Sequence, residues 1–393
     1  MNLILEECRV CKGQKTYKHS VTSSLPVYIW PLPQAKENLF LDAGLFICDD
    51  CSHVQLQSLD DTLINSFYED EYFVLEDNVL DLDRVDLLVS VFGKEMLGGA
   101  KFLDIGGGNN PFAEPLSVRG VSSESWVVDI NPKPSAAEKA TQIVTGRFED
   151  VPLPNGYFNF VTSFLSMEHF NYPPAVVARM AEVLQPGGLA VIEVPNLTGL
   201  IDLIPHYLVF HQHVSIFSIG ALDSLFSLHG FRRQTILRED HSIMVAYENV
   251  HAPRKLCVPT IDPKAELDRF RSRMRKIDED LKKVNFTSKL GGLGLYSAGG
   301  SSSLFLANFP WLREYLSLVF DRDERKQGRI VPGTDLVILP PEKIKSSGID
   351  KLLFIDSAIY DNVAPGLSID CVNLSPYLVA SVDHRKGNSH SLK

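Results

Sequence analysis

Residues 102–110 read FLDIGGGNN, and the fold of the chain can be predicted outward from this stretch. The run Lys101–Ile105 is mostly apolar and carries an acid, Asp104, just before three consecutive glycines. Glycines at the end of a buried strand allow a sharp turn and let a ligand approach bare backbone. A second apolar run ends at Asp129, roughly 20 residues beyond the first glycine. The pattern predicts an α/β sheet that binds a nucleotide, with Asp129 on a ribose diol.

Two later motifs narrow the kind of nucleotide fold. Residues 160–169 read FVTSFLSMEH, and LQPGG at residues 184–188 precedes another apolar run. In this order the segments resemble the class I S-adenosylmethionine (SAM) methyltransferases. A nicotinamide-binding Rossmann domain is the alternative, but it normally has a third glycine where Pro111 stands. The resemblance implies SAM as cofactor, bound by Asp104, Gly106, Gly108, Asn110, Asp129, Phe148 and Glu149.

Composition limits the classes of partner. The chain has 393 residues and a formal net charge of −11. That length can hold two or three domains, and the acidic balance argues against a nucleic-acid partner, which needs a basic face. No apolar run is as long as a membrane span, and residues 1–7 do not resemble the start of a signal peptide. We therefore expect a cytoplasmic protein that acts on a small molecule, without a nucleic-acid or membrane partner.

Four of the six cysteines form two Cys-x-x-Cys pairs, Cys8 with Cys11 and Cys48 with Cys51. In a reducing compartment such pairs indicate a metal rather than disulfides. Four thiolates would fill a tetrahedral zinc site and leave no position for a substrate, so a structural zinc is expected. Four unrelated thiols and a redox-active pair are the alternatives. The long spacer predicts a small sheet, with strands at residues 27–30 and 45–47.

Residues 67–73, FYEDEYF, are aromatic and acidic together. They are interpreted as a helix packed over the next domain. The alternative is that Tyr68 or Tyr72 reaches the substrate pocket. Tyr72 is therefore a candidate substrate-binding residue. Residues 80–97 have helical spacing and predict the helix before the first strand of the sheet.

Histidines in two segments are candidates for acid–base chemistry. His169 ends the FVTSFLSMEH motif, near the edge at which open α/β sheets bind ligands, and it is either a substrate contact or a packing histidine. Residues 210–213 read FHQH. From an extended segment, His211 and His213 would point the same way and opposite to Gln212. They are candidate metal ligands without a third ligand nearby in the sequence, or structural histidines on a loop.

The C-terminal part repeats the opening pattern. Residues 262–281 are charged and helix-favouring, and are interpreted as a solvated connecting helix. Residues 294–303, GLYSAGGSSS, again suggest a strand and a glycine loop, so a smaller Rossmann-like domain is predicted. Its hydroxyls, Ser301 among them, are candidates to bind a phosphate at a helix N-terminus. The predicted domains are zinc-binding (1–75), SAM-binding (76–255), linker (256–285) and substrate-binding (286–393).

Over nearly its whole length the chain resembles the sugar C-methyltransferases of deoxysugar biosynthesis. The most specific marks are the paired Cys-x-x-Cys, the HQH of residues 211–213, and VFD at residues 319–321 followed by GRIVPGT at residues 328–334. The resemblance implies a zinc domain, a SAM domain and a C-terminal domain. It also implies a nucleotide-linked 4-keto-6-deoxy sugar as substrate, bound between the last two.

Two segments depart from that family's pattern. Its histidine motif reads Tyr-His-Glu-His, where this chain has Phe-His-Gln-His at residues 210–213. Its glycine loop has Asn-Asp-Gly where this chain has Gly-Asn-Asn at residues 108–110. Loss of the glutamate removes a charge that would raise the pKa of a nearby histidine. The departures leave the architecture unaffected and leave the methylated atom open.

The resemblance implies His213 as the base, with His211 orienting or stabilising it and His169 as the next candidate. Phe210 and Gln212 are expected at the substrate. A ketone acidifies the adjacent C–H, which a neutral histidine can deprotonate to give an enolate that accepts a methyl group. The expected function is SAM-dependent C-methylation of a nucleotide-linked 4-keto deoxysugar. The alternatives are methylation of nitrogen, oxygen or another carbon acid, and a non-catalytic zinc- and nucleotide-binding partner protein.

Overall fold

The computed structural model describes residues 7–34, 37–57, 62–63, 82–108, 111–121, 123–132, 140–252, 256–257, 261–286 and 292–379. The candidates Tyr68, Tyr72 and Asn110 lie outside these ranges. Within them the strands form three sheets, of four, seven and five strands.

The N-terminal sheet is antiparallel and takes its last strand from far along the chain. Its strands, hydrogen-bonded in this order, are β1 (Thr16–Pro26), β2 (Phe40–Cys48), β3 (Val54–Leu56) and β9 (Ser215–Ile216). Because β9 begins two residues after His213, this sheet and the predicted base are directly connected.

One of the two strands predicted here is confirmed and one is wrong. Residues 45–47 lie inside β2, but residues 27–30 form no strand. Val27 and Tyr28 instead pack with Leu32 in a small apolar cluster. Prolines at 31 and 33 cannot donate to a ladder, so this apolar run does not continue as a strand. The more polar β1 takes its place, because one face of an antiparallel sheet can stay in solvent.

The central sheet has the order β10-β11-β8-β7-β4-β5-β6, with β11 antiparallel to both neighbours and the other pairs parallel. Its strands are β4 (Lys101–Ile105), β5 (Glu124–Asp129), β6 (Gln142–Thr145), β7 (Phe158–Phe164), β8 (Leu184–Pro195), β10 (Phe231–Glu239) and β11 (Ser242–Asn249). The order reverses at β4, so the carboxyl ends of β4 and β7 border the crevice where such sheets bind ligands. This is the predicted class I SAM methyltransferase fold.

Helices cover both faces of the central sheet. One face buries side chains of α1 (Leu82–Phe92), α2 (Lys94–Leu97) and α3 (Ala113–Val118). The other buries side chains of α4 (Pro173–Val183) and α6 (Ile219–Leu228). A fifth helix, α5 (Leu197–Leu203), packs on the N-terminal sheet. The helix predicted at residues 80–97 is confirmed for its described part, with a break at Gly93 (φ +78°).

The connecting helix is α7 (Pro263–Leu281), and Asp262 caps it by accepting from the Lys264 and Ala265 N–H groups. It is less solvated than predicted, because Leu267 and Phe270 are buried against the α5 region. The apolar residues of this helix were not recognised in the sequence, because they stand among many charged residues. Despite its 19 residues, α7 is far too polar to span a membrane, and no other described helix is long and apolar enough.

The C-terminal sheet is parallel throughout, in the order β14-β13-β12-β15-β16. Its strands are β12 (Leu293–Tyr296), β13 (Leu316–Phe320), β14 (Ile338–Leu339), β15 (Lys351–Phe354) and β16 (Asp370–Asn373). Its helices are α8 (Gly300–Asn308), α9 (Ser357–Val363) and α10 (Ser375–Leu378). The order again reverses at the first strand, which confirms the predicted second Rossmann-like fold.

Candidate active site and cysteine cluster

The glycine loop after β4 packs directly on three polar side chains. Gly106 has φ +78°, and a Cβ there would overlap the Ser166 hydroxyl. A Cβ at Gly107 would overlap the Asp104 carboxylate, and one at Gly108 would lie 2.7 Å from that of Asp129. At Gly106 the positive φ favours glycine, and at all three positions a side chain would displace one of these polar groups.

The two acids at the strand ends have different environments. Asp104 is buried, and its carboxylate accepts from the Phe112 N–H (2.9 Å) and the Thr162 hydroxyl (2.8 Å). Burial raises the pKa of Asp104 to about 6. Asp129 is only half-buried and accepts from the N–H groups of Gly108 (3.1 Å) and Asn131 (2.7 Å). Asp104 is therefore held within the fold by hydrogen bonds to Phe112 and Thr162, whereas Asp129 is the more accessible of the two acids.

Phe148 and Glu149, the two expected SAM-binding residues that follow β6, differ in exposure. Phe148 is 2% exposed and belongs to the apolar core beneath the sheet. Glu149 is half-buried, and the Arg147 guanidinium lies 3.2 Å from its carboxylate. The glycine loop and Asp129 at the end of β5 together fit SAM by their donor and acceptor groups.

A second group of side chains lies beyond β7, where a turn at Met167–His169 follows the strand. The Glu–His cluster consists of Glu168, His169 and His213. One Glu168 oxygen, Oε1, lies 3.8 Å from His213 Nε2 and 3.9 Å from His169 Nε2. The two imidazoles meet nearly edge to face, with centroids 4.8 Å apart. Because Ser166 packs on Gly106, this cluster adjoins the cofactor loop.

Burial controls protonation in the Glu–His cluster. Desolvation raises the pKa of Glu168 to about 8, an effect that nearby Glu193 reinforces and Arg84 opposes. It lowers the pKa of His169 to about 4, although the Gln212 carbonyl favours the charged ring. Burial and the neighbouring His169 hold the pKa of His213 well below its usual value. Both imidazoles are therefore neutral at pH 7.

The histidine segment is a turn, not the extended segment predicted. The His213 N–H donates to the Phe210 carbonyl at 3.2 Å, and the two histidines consequently diverge. His213 faces Glu168, whereas His211 Nε2 lies 3.3 Å from the Leu41 carbonyl of the N-terminal sheet. The prediction that both point the same way is wrong. The structure brings His213 and His169 together and sets His211 apart.

The two candidate substrate contacts of this turn are both buried. The Phe210 ring packs against His213, with centroids 4.0 Å apart. The Gln212 carbonyl accepts from His169 Nδ1 at 2.9 Å. The side-chain nitrogen of Gln212 is buried and has no hydrogen-bond partner among the described residues. A buried amide donor of this kind is suited to a ligand oxygen.

Ser301 lies at the start of α8, at the junction with the central domain. Its hydroxyl is 2.8 Å from His206 Nε2, and His206 is buried. The loop before it contains Ser297 at φ +83°, and Ala298 donates its N–H to Asp321 at 2.7 Å. Ser301 is thus close in space, though not in sequence, to the segment that leads into the histidine turn.

The four paired cysteines form one cluster. Sulfur atoms are 3.5 Å apart in Cys8 and Cys51, and 3.6 Å apart in Cys11 and Cys48; all four lie within 4.8 Å of one another. Four sulfurs at about 2.3 Å from a tetrahedral zinc lie about 3.8 Å apart, so the geometry fits zinc. Next to Cys8, the Arg9 guanidinium donates to the carbonyls of Leu56 (2.6 Å) and Val214 (3.0 Å). This side chain ties the cysteine cluster to the histidine turn.

Family models match two parts of the chain. Residues 83–235 match the model of a methyltransferase domain, and residues 259–365 match that of a C-methyltransferase C-terminal domain. The chain contains a SAM-dependent methyltransferase domain. The second match assigns the α7 helix and the C-terminal sheet to the type of domain found in C-methyltransferases.

Curated relatives cover only part of the chain. The C-methyltransferase NovU of Streptomyces niveus is 25% identical over 216 residues, 50% of this chain and 50% of NovU. The ubiquinone/menaquinone biosynthesis C-methyltransferase UbiE of Cupriavidus metallidurans is 28% identical over 103 residues, 24% of this chain and 42% of UbiE. The chain thus spans half or less of the length of these relatives. A solved 1,6-didemethyltoxoflavin N1-methyltransferase from Burkholderia thailandensis covers 51% of the chain at 14% identity and a TM-score of 0.38.

Glu168 is part of the FVTSFLSMEH motif, but no role was predicted for it from the sequence. Its position shortly after a buried strand, at the edge of the sheet where ligands bind, is the feature that could have indicated one. Glu193, near the end of β8, was also missed. Its carboxylate accepts from Arg84 (2.6 Å), Arg238 (2.7 Å) and the Ser242 hydroxyl (2.7 Å), whereas Glu168 Oε2 has no partner among the described residues. An acid in a buried apolar run requires partners, and the sequence alone does not reveal them.

Replacing Asp129 with alanine should weaken SAM binding more than tenfold. The change removes acceptors for two ribose hydroxyls, and hydrogen bonds to a charged group contribute about 1.5–3 kcal/mol each. Calorimetry on the full chain measures the affinity. Asp150→Ala is the control, because that nearby carboxylate is 75% exposed. Equal SAM affinity in Asp129→Ala and wild type would remove Asp129 from the site.

Glu168→Gln should stabilise the fold at neutral and alkaline pH. The folded-state pKa of about 8 exceeds the ordinary value of 4.5, so the folded protein binds this proton more tightly than the unfolded chain does. Wild-type stability should therefore fall by about 1.4 kcal/mol per pH unit between about pH 5 and pH 8 relative to the variant. Urea unfolding of both proteins across this range tests the effect, and parallel pH profiles would contradict it.

Proposed function

We propose that this protein is a SAM-dependent C-methyltransferase that acts on a nucleotide-linked 4-keto deoxysugar. The observation that carries the proposal is the position of His213 beside Glu168, on the turn after β7 whose Ser166 packs on the glycine loop. The C-methyltransferase C-terminal domain match and the similarity to NovU support transfer to carbon. The sugar substrate rests on the family resemblance.

His213 is proposed as the base that removes the proton next to the ketone. Its imidazole is neutral at pH 7, because burial holds its pKa down, and so it is able to accept a proton. The Gln212 side-chain nitrogen, which has no hydrogen-bond partner among the described residues, is proposed to donate to the developing enolate oxygen. SAM, when bound, supplies the electrophilic methyl group. Phe210 packs on His213 and keeps water from it.

The cysteine cluster is proposed to have a structural role, and the C-terminal sheet is proposed to bind substrate. The cysteine cluster is proposed to hold one structural zinc, since four sulfurs leave no position for a substrate. The C-terminal sheet is proposed to bind the nucleotide part of the substrate, with Ser301 at its edge and Tyr72 as a further contact. The substrate then lies between the two Rossmann-like folds.

Incubation of the full chain with SAM and a panel of nucleotide-linked keto sugars tests the function. We expect one panel member to gain a single methyl group on the carbon next to its ketone, located by mass spectrometry and NMR. The same sugar reduced to an alcohol is the control, because it has no acidic C–H and should not react. A methyl group on oxygen or nitrogen would favour the alternative acceptor class. SAM binding without turnover of any acceptor would favour a non-catalytic protein.

A further inference from the structure

We infer that Glu168 is the positioning residue of His213: its carboxylate fixes the imidazole tautomer and balances the charge that His213 gains from substrate. This inference rests on the proposed function, in which His213 is the base. Glu168, on the turn after β7, supplies the negative charge that a protonated His213 needs. The histidine turn itself supplies only the neutral Gln212.

A hydrogen bond assigns the tautomer of His169, and the position of Glu168 favours one tautomer of His213. His169 Nδ1 lies 2.9 Å from the Gln212 carbonyl, so it carries the proton, and His169 Nε2 faces Glu168 as an acceptor. His213 Nε2 faces the same Glu168 oxygen at 3.8 Å. With its proton on Nε2, His213 donates toward Glu168 and leaves Nδ1 as the basic nitrogen. The separation is beyond hydrogen-bond length, but catalytic bonds commonly tighten only when substrate binds.

The charges around the cluster leave Glu168 as the counter-ion. Glu193 is another carboxylate that affects the pKa of Glu168, and it is already paired with Arg84 and Arg238. The other rings around His213 in the described structure are those of Tyr207, Phe210 and His169, which carry no negative charge. A buried imidazolium without an anion is costly. Glu168 is the one described carboxylate within 4 Å of His213.

The substrate proton is transferred to His213, and Glu168 balances the resulting charge. The substrate C–H bond breaks, its electron pair remains as an enolate, and its proton forms a bond to His213 Nδ1. The Nε2–H of the resulting imidazolium donates to the ionised Glu168, and the proton passes to water when product leaves. Because Glu168 must be ionised and its pKa is raised to about 8, activity should increase as the pH rises toward about 8 and then level off.

The test follows His213 directly by NMR of the full chain with 15N-labelled histidine, its signal assigned with His213→Asn. In wild type we expect His213 to change tautomer as Glu168 ionises near pH 8, with Nε2–H favoured above that pH, and in Glu168→Gln this pH-dependent change should be absent. With the keto sugar, kcat should fall at least a hundredfold with little change in KM. The rise in activity toward pH 8 should disappear, and Glu168→Asp should restore part of both effects. Asp223→Asn is the control, since that carboxylate bonds Tyr247 and Arg233 instead of a histidine.

Several outcomes would overturn the inference. One is the same His213 titration and tautomer in wild type, Glu168→Gln and Glu168→Asp. Another is a second divalent metal ion per chain that is lost in Glu168→Gln, because the cluster would then be a metal site. The titration needs no substrate, so it separates the two proposals: failure of the proposed function would appear as absent methyl transfer while His213 still responds to Glu168.

Discussion

Replacing His213 with asparagine should lower the rate of methyl transfer at least a thousandfold and leave SAM affinity unchanged. Asparagine retains a polar side chain but cannot accept the substrate proton, and positioned general bases contribute about 10²–10⁴-fold to the rate. Single-turnover assays with the reactive keto sugar measure the chemical step, and calorimetry measures SAM binding. In deuterated water with S-adenosylhomocysteine, the variant should also fail to exchange the proton next to the ketone.

His211→Asn is the matched control, because it changes a histidine two positions away whose ring faces the Leu41 carbonyl. It should retain most of the activity, and Gln212→Ala should slow the reaction without abolishing it. Near wild-type methylation by His213→Asn would show that the base lies elsewhere. His169, which shares the Glu168 oxygen, would then be the residue to test.

Replacing Cys48 with serine should remove the bound zinc and unfold the N-terminal sheet. Four thiolates bind zinc with an apparent free energy of about 10 kcal/mol or more, and that free energy is folding free energy when the site forms only in the folded state. Since β9 begins two residues after His213, methyl transfer should be lost as well. Metal analysis, circular dichroism and the methylation assay measure the three effects.

Cys371→Ser is the control, since that cysteine belongs to the C-terminal sheet and lies outside the cysteine cluster. It should keep one zinc per chain and full activity. A wild-type protein purified without zinc, or an unchanged zinc content in Cys48→Ser, would show that the cysteine cluster is not a metal site.

Local sequence was sufficient to predict the parts of the fold that depend on local chemistry. Glycines at 106–108 are required because their backbone packs on Asp104, Asp129 and Ser166, and this requirement is visible as a run of small residues. The paired cysteines were recognisable for the same reason, since each pair forms its own tight turn. Residues 27–30 show the limit of this approach, because apolar character alone does not make a strand when prolines follow.

The parts that could not be predicted depend on contacts between distant segments. Glu168 and His213 meet only because β7 ends beside the histidine turn, and periodicity within either segment carries no information about that encounter. His211 Nε2 faces the Leu41 carbonyl, which belongs to β2 and lies 170 positions earlier in the chain. The partners of Glu193 come from α1, β10 and β11. Burial and pairing of such groups are tertiary properties.

The pairing of β3 with β9 also determines the order in which the chain can mature on the ribosome. All four clustered cysteines precede β3 in the sequence, so they can come together before β9 is synthesised. The strand that completes their sheet comes much later: His53 and its partner Ser215 are 162 positions apart. At roughly 5–20 residues per second, that interval lasts about 10 to 30 s. Throughout it, β3 has an uncovered edge that could pair with another nascent chain, so this step is the one at which a chaperone would be most useful.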